Sequence, residues 1–152
     1  MKNLLLFFLF FILNHSFVFS QDPFTLQVRD QRAKHESVWL QEYISFLSIP
    51  NLAADSVLLG KNATFIAELL KQQGIGNVQL LQAQTKGVPP AVYGEVLVPG
   101  AKQTIVFYAH YDGQPVDPSK WIEGLMPFKP SLSDGIMGSG GKLIALPEKG
   151  GG

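Results

Sequence analysis

The sequence predicts a layered α/β fold. Two amphipathic helical patterns come first, two segments rich in strand-forming residues follow, and a third such segment is apolar on both of its faces. A strand of the third kind is typical of a sheet that helices cover on both sides. Helices, strands and a buried strand in this order therefore indicate helical layers packed on a sheet.

The N-terminus has the three parts of a secretory signal peptide. Lys2 precedes an apolar run at residues 4–13, and Ser20 is a small residue after which cleavage is expected. An uncleaved membrane anchor is the alternative, but the run is shorter than the about 20 residues that span a bilayer. We therefore predict a signal peptide at residues 1–20 and an exported protein, periplasmic or extracellular, with no stable membrane anchor. The remaining residues, about 130, suffice for one modest domain.

The composition excludes several classes of partner and site. Lys plus Arg and Asp plus Glu number 12 each, so no excess of charge favours nucleic acid or an anionic membrane surface as a partner. The chain contains no cysteine, which excludes disulfides, thiolate metal sites and a cysteine nucleophile. A metal site in this chain must therefore be built from His, Asp and Glu.

The first of the two helices can open at the polar residues 22–23 and shows a clear apolar face from Ser37 onward. It should end before Pro50.

The second helix is predicted from about Ser56 to Gln73, with Asp55 or Ser56 as its N-cap. Gly74 follows its last turn, as in a helix that ends with a left-handed residue. Asn62 begins an Asn-Ala-Thr sequence that matches an N-glycosylation acceptor. Because this residue lies inside the helix, we expect a solvated helical Asn instead.

Strand patterns begin after the second helix. Residues 78–83 and 91–98 are rich in residues that suit strands, and the turn-forming segment 85–90 separates them. Residues 104–109 are apolar on both faces, which predicts the buried strand.

The candidate site lies just beyond this buried strand, at His110 and Asp112. In open α/β sheets, ligands bind beyond the carboxyl ends of the strands. Residues two apart in an extended chain project to the same side, so this imidazole and this carboxylate can share one pocket. A neutral imidazole binds zinc through one nitrogen, and a carboxylate on the other N–H fixes the tautomer. A purely structural histidine at the end of a strand is the alternative interpretation.

The stretch 105–121 resembles the first metal motif of a zinc metallopeptidase family, peptidase family M twenty. This family includes carnosine and non-specific dipeptidases, acetylornithine deacetylase and glutamate carboxypeptidase. The likeness to the dipeptidase branch rests on His-Tyr-Asp, on Gln-Pro-Val-Asp-Pro and on Trp121. It covers about residues 35–135, and Gly113 departs from the Val that is common in the dipeptidases.

The resemblance implies the N-terminal part, incomplete in this chain, of a three-layer α/β/α catalytic domain with a mostly parallel mixed sheet. It implies that His110 ligates one of two zinc ions and that Asp112, assigned as catalytic, orients this imidazole. The bridging carboxylate, the Glu general base and the other ligands come later in family members, and neither His15 nor His35 is a credible substitute. A dipeptide or short peptide is the implied substrate, and the complete enzyme can be a homodimer.

The function predicted on this basis is hydrolysis of peptide bonds by a metal-dependent dipeptidase or aminopeptidase, inactive as this fragment. A deacylase or other amidohydrolase of the same family is one alternative, because only later specificity residues separate the two activities. A non-catalytic exported remnant or binding module is the alternative from another class. Asp117 and Pro118 are predicted to shape a turn. Trp121 is predicted to pack, and Lys120 to be a solvated charge.

Residues 136–152 form a Gly-rich tail that matches no continuation of the family, in which Gly-Arg-Gly and the bridging Asp are expected. Met is encoded only by ATG, and every Gly codon begins with G. The frame one base later across Met137 and Gly138 must therefore encode Trp. Permitted codons around it spell Leu-Trp-Gly-Arg-Gly-Ala-Ser, the expected family segment. We hypothesise a slip of the reading frame close to residue 136 and assign residues 21–135 to the catalytic domain.

We predict that residues 1–21, fused to a reporter, direct its secretion with cleavage between Ser20 and Gln21. The mature N-terminus of the secreted reporter, read by mass spectrometry, checks this. A reporter that still begins at Met1 would contradict the assignment of a cleaved signal peptide.

Overall fold

The computed structural model describes residues 22–146. The predicted signal peptide at residues 1–20 lies outside the described residues, as does the end of the Gly-rich tail. The described residues form two compact units, 22–36 and 37–146, and the boundary between them falls within the first helix. In this part of the chain, no helix is both long and apolar enough to cross a membrane.

Helices and small antiparallel sheets make up the described fold, so the predicted α/β class is confirmed for this part of a domain. The elements are α1 (Pro23–Leu47), α2 (Ser56–Gln72), β1 (Gly76–Leu81), β2 (Ala91–Glu95), β3 (Leu132–Ser133) and β4 (Leu143–Ile144). Strand β1 pairs with β2, and β3 pairs with β4.

Helix α1 is continuous through the polar segment and the amphipathic segment that the sequence predicts. Its residues in the unit 22–36 are all exposed. In the second unit, Phe46 of α1 stacks on Phe65 of α2 with ring centroids 5.8 Å apart. The helix ends at Leu47, before Pro50, as predicted.

Helix α2 begins with one of the two predicted caps. The carboxylate Oδ1 of Asp55 accepts a hydrogen bond of 2.9 Å from the backbone N–H of Leu58. This bond satisfies one of the N–H groups that the first turn of a helix leaves free. Leu59, Ala63 and Ala67 are buried along one face of α2, at the spacing that the helical period requires. The core of the described residues therefore lies against α2.

Helix α2 ends in the left-handed glycine that the sequence predicts. Gly74 has a φ of +77°, and its N–H donates to the carbonyl of Lys71 at 3.0 Å. The N–H of Ile75 donates to the carbonyl of Leu70 at 3.0 Å, which completes a Schellman motif. A Cβ at Gly94 would lie 2.8 Å from Cγ2 of Ile75, so the glycine allows β2 to approach this end of the helix closely.

Strands β1 and β2 form an antiparallel pair in which Leu80 lies opposite Val92. The second strand is shorter than the predicted 91–98 because it ends at Glu95. Glu95 lies opposite Gly76, the first residue of β1, so the residues that follow it have no strand beside them.

Asn62 is buried, and the prediction of a solvated Asn is wrong. Only 1% of its surface is exposed. Its Nδ2 donates to the carbonyl of Pro50 at 2.8 Å and to the carbonyl of Leu58, one turn earlier in α2, at 3.0 Å. The chain that leads from α1 to α2 covers this face of the helix. A glycan would replace one of the two Nδ2 hydrogens and so remove one of these bonds, and the burial of Asn62 is incompatible with a glycan on the folded chain.

Residues 104–109 do not form the predicted buried strand. They are exposed throughout, with 83% of Val106 and 92% of Phe107 accessible. A buried strand needs a strand on each side to bond its backbone and helical layers to cover its faces, and residues 22–146 supply neither to this segment. Parallel pairing among the described residues is limited to an isolated bridge between Leu52 and Gly113.

Part of the Gly-rich tail folds back on the chain before it. Strand β4 pairs with β3, and the carboxylate Oδ1 of Asp134 accepts a hydrogen bond of 2.6 Å from the backbone N–H of Lys142. The N–H of Asp134 in turn donates to the carbonyl of Lys142 at 3.1 Å. This hairpin does not distinguish a natural tail from one produced by a slip of the reading frame. The frame hypothesis therefore stays a prediction.

We predict that Asn62→Ala lowers the free energy of unfolding by about 1–2 kcal/mol, because it removes the donor that satisfies the Pro50 carbonyl. The loss should not reach the largest values seen when a buried polar group is left unpaired. The substitution also removes Oδ1 of Asn62, which is buried without a hydrogen-bond partner among the described residues and so destabilises the native chain. Urea unfolding measures the change. Thr64→Ala, on the exposed side of the same helix, is the control and should change stability by less than about 0.5 kcal/mol. Equal effects of the two substitutions would contradict the role of Asn62.

Candidate metal site

The turn that carries the candidate residues is held by the loop between α1 and α2. The N–H of Gly113 donates to the carbonyl of Asn51 at 2.7 Å, and the N–H of Ala53 donates to the carbonyl of Gly113 at 2.9 Å. These two bonds form the parallel bridge between Leu52 and Gly113. The backbone at the end of the His-Tyr-Asp sequence is therefore fixed, although the segment before it is exposed.

Tyr111 holds the same turn through two hydrogen bonds, one from its hydroxyl and one to its backbone carbonyl. Its hydroxyl donates to the carbonyl of Pro90 at 2.5 Å, and Pro90 is buried. Its own carbonyl accepts a hydrogen bond of 3.1 Å from Nδ2 of Asn51. Burial and, to a smaller extent, the charge of Asp112 raise the pKa of Tyr111, so the hydroxyl keeps its hydrogen to a higher pH than an ordinary tyrosine does. Because side chains alternate along an extended chain, this places the side chains of residues 110 and 112 on the side away from the Tyr111 ring.

The two predicted site residues are in direct contact. Nδ1 of His110 lies 3.1 Å from Oδ1 of Asp112 and 3.0 Å from the backbone carbonyl oxygen of Asp112. Both of these oxygens are acceptors, so Nδ1 must carry the hydrogen. In the neutral ring, Nε2 then has a free lone pair. The side chains of His110 and Asp112 are 74% and 51% exposed, so a ligand can reach them.

The geometry fits one metal ligand and its orienting partner and no more. Within residues 22–146, no group of three or more His, Cys, Asp and Glu side chains could hold a metal ion. His35 belongs to the unit 22–36, where its Nδ1 lies 2.8 Å from the carbonyl oxygen of Gln31. His15 lies outside the described residues. The metal role of His110 therefore stays a prediction.

The residues that follow the site form the predicted turn. Asp117 caps a short 3₁₀ helix, Pro118–Lys120, and accepts hydrogen bonds from the hydroxyl and the N–H of Ser119. The Ser119 hydroxyl first, and its N–H second, lower the pKa of Asp117. The side chain of Lys120 is 81% exposed, which agrees with a solvated charge.

Trp121, 44% exposed, lines an open cavity of about 250 Å³ in the second unit. The other lining residues are mostly apolar: Phe46, Leu47, Ile49, Asn51, Asn62, Val116, Met126, Pro127, Phe128, Lys129 and Pro130. Asn51 thus both lines this cavity and bonds the turn of the site. Sequence reasoning missed Asn51, because no local pattern connects an Asn in a loop with a turn that follows sixty residues later.

Comparison with known proteins supports the fold. The chain is similar to the solved structure of the di-peptidase Dug1p from Saccharomyces cerevisiae, with 23% sequence identity and a TM-score of 0.56. The match covers 66% of this chain and 23% of that chain, so this chain spans about a quarter of the enzyme it matches. No family model matches the sequence, and no curated protein does. The described residues therefore share the fold of part of that structure.

We predict that Tyr111→Phe lowers the free energy of unfolding by about 1 kcal/mol, the net contribution of one hydrogen bond. The Pro90 carbonyl would lose its donor while the ring stays in place. Tyr108→Phe is the matched control, because this hydroxyl belongs to a side chain that is 89% exposed. Chemical denaturation of both variants checks the prediction, and a loss in the control as large as that in Tyr111→Phe would refute it.

Proposed function

We propose that this chain is the N-terminal part of a metal-dependent hydrolase of peptide bonds, of the dipeptidase or aminopeptidase type. The observation that carries the proposal is the contact of 3.1 Å between His110 and Asp112, which leaves Nε2 of the imidazole available to a metal. The resemblance of residues 105–121 to a metallopeptidase motif and the fold shared with a dipeptidase support it.

In this proposal, Nε2 of His110 holds one of two zinc ions. Asp112 keeps the hydrogen on Nδ1, orients the ring and makes Nε2 a stronger base, and is the catalytic residue in this sense. Tyr111 and the loop 51–53 hold the backbone between the two side chains. Bound zinc would lower the pKa of a water molecule and polarise the scissile carbonyl. The substrate is a dipeptide or short peptide, and the complete enzyme is exported and can be a homodimer.

The chain as given is expected to be inactive. Catalytic zinc sites usually have three protein ligands, and the described residues contain no group of three side chains that could hold the metal. We therefore expect weak zinc binding and no hydrolysis of dipeptides above background. The lack of further metal ligands among the described residues also fits the alternative function, a non-catalytic exported protein. The alternative activity as a deacylase of the same family would differ only in specificity residues that lie elsewhere in a complete enzyme.

Correction of a one-base slip close to codon 136 should give a longer product with zinc-dependent dipeptidase activity. This product should contain Gly-Arg-Gly followed within a few residues by Asp, a Glu-Glu pair and a distant His. In it, His110→Ala should abolish metal binding at one site. Asp112→Ala should lose activity with metal partly retained, with affinity about 10–100-fold weaker.

Metal content and chelator-sensitive hydrolysis of a dipeptide measure these effects, and His35→Ala is the control that should leave both unchanged. Verified DNA with no family motif in any frame beyond codon 136 would remove the basis of the prediction. Full activity after His110→Ala would contradict the role of this residue.

A further inference from the structure

Gly113 adjoins a side chain that occupies the place of its missing Cβ. A Cβ built on Gly113 would lie 2.6 Å from Oδ1 of Asn51 and 3.0 Å from Cγ of Asn51. Both distances are shorter than the about 3.5–4.0 Å of a normal contact between non-bonded heavy atoms. Gly113 is not among the residues with positive φ, so its backbone conformation is open to any residue. The place of a Cβ is therefore occupied by the side chain of Asn51, which would have to shift to admit one, while the backbone conformation does not require glycine.

Asn51 bonds the turn on both sides of Asp112. Its side-chain Nδ2 donates to the carbonyl of Tyr111, and its backbone carbonyl accepts the N–H of Gly113. Asp112 is the residue between these two bonded residues. The direction in which the Asp112 carboxylate leaves the backbone is thus set by Asn51.

Asn51 is itself attached to a rigid element. The carbonyl of the preceding residue, Pro50, accepts a hydrogen bond from the buried amide of Asn62 in α2. On the other side of the loop, Asp55 caps the same helix. Sites that are supported by such second contacts to a helix hold their geometry better than sites on free loops.

We propose that Asn51 is the positioning residue of the His110–Asp112 pair. Its amide fixes the backbone of residues 111–113 so that the Asp112 carboxylate meets Nδ1 of His110 and Nε2 remains available. The inference rests on the proposed function only for the identity of what binds Nε2. The hydrogen-bonded frame and its effect on the imidazole can be tested without metal.

The close contact between residue 113 and the Asn51 side chain predicts how substitutions at these two positions combine. A methyl group at residue 113 must displace the Asn51 amide, and this displacement breaks the bond from Nδ2 to the Tyr111 carbonyl. Gly113→Ala should therefore have the same effect as Asn51→Ala, and the double variant should be no worse than either single variant. Two independent contacts would instead add.

The test uses NMR on the full 152-residue chain without metal. Hydrogen exchange of the backbone amide of residue 113, taken relative to the intrinsic rate of the residue present there, reports the frame, and the nitrogen shifts of the His110 ring report which nitrogen carries the hydrogen. Asn51→Ala and Gly113→Ala should each speed exchange of the residue 113 amide by about fivefold, the factor that corresponds to loss of one net hydrogen bond. Each should also convert the single His110 tautomer into a mixture of the two.

Two further variants separate positioning from general stability. Asn51→Asp keeps the shape but has no N–H to donate, so it should behave like Asn51→Ala. Ala67→Gly weakens the core of α2 by an amount similar to one hydrogen bond, yet it should leave the His110 tautomer unchanged.

Unchanged tautomer populations in Asn51→Ala, additive effects of Asn51→Ala and Gly113→Ala, or a tautomer change in Ala67→Gly would each overturn the proposal. If the expected results are obtained but a frame-corrected enzyme binds no zinc, the positioning role stands and the proposed function fails. The two ideas can therefore fail separately.

Discussion

The hydrogen bond from Asn62 to the Pro50 carbonyl is the contact on which the arrangement around the site depends. A backbone carbonyl in a loop that packs over a helix cannot bond to water and needs another hydrogen-bond donor. The buried amide of Asn62 supplies it at 2.8 Å, and it fixes the start of the loop against α2. The next residue, Asn51, can then present both its carbonyl and its side chain to the turn of residues 111–113.

The features that sequence could predict are those decided within a few residues. The Asp55 cap joins residues three apart, and the Gly74 ending joins residues five apart at most. The position of Asn62 in the helix was also predictable, but its burial was not. Burial depends on Pro50, twelve residues earlier, which passes over that face of α2. Helical periodicity places residues on a common face, but it does not show which chain covers that face.

Residues 104–109 show the opposite error, because here the local pattern is strong and the surroundings are missing. An uncharged run of β-branched and aromatic residues fits a strand between helical layers. In residues 22–146, its side chains are exposed, and neither of the two sheets, β1–β2 and β3–β4, includes it. Strand propensity describes what a segment fits, and pairing requires other segments in the same fold. Such an exposed run is also prone to associate with other strands.

At the candidate site too, local sequence decides one part of the geometry and distant residues decide the other. The contact between His110 and Asp112 follows from their spacing, because side chains two apart in extended backbone lie on one side. What makes the contact stable lies outside the motif. Pro90 accepts from the Tyr111 hydroxyl, and Asn51 bonds the backbone from the other side. A His-x-Asp sequence on a free loop would sample many arrangements, and the hydrogen of the neutral imidazole would be shared between Nδ1 and Nε2. In the proposed role of Asn51, the attachment of this loop to α2 through the buried amide of Asn62 favours the tautomer with the hydrogen on Nδ1.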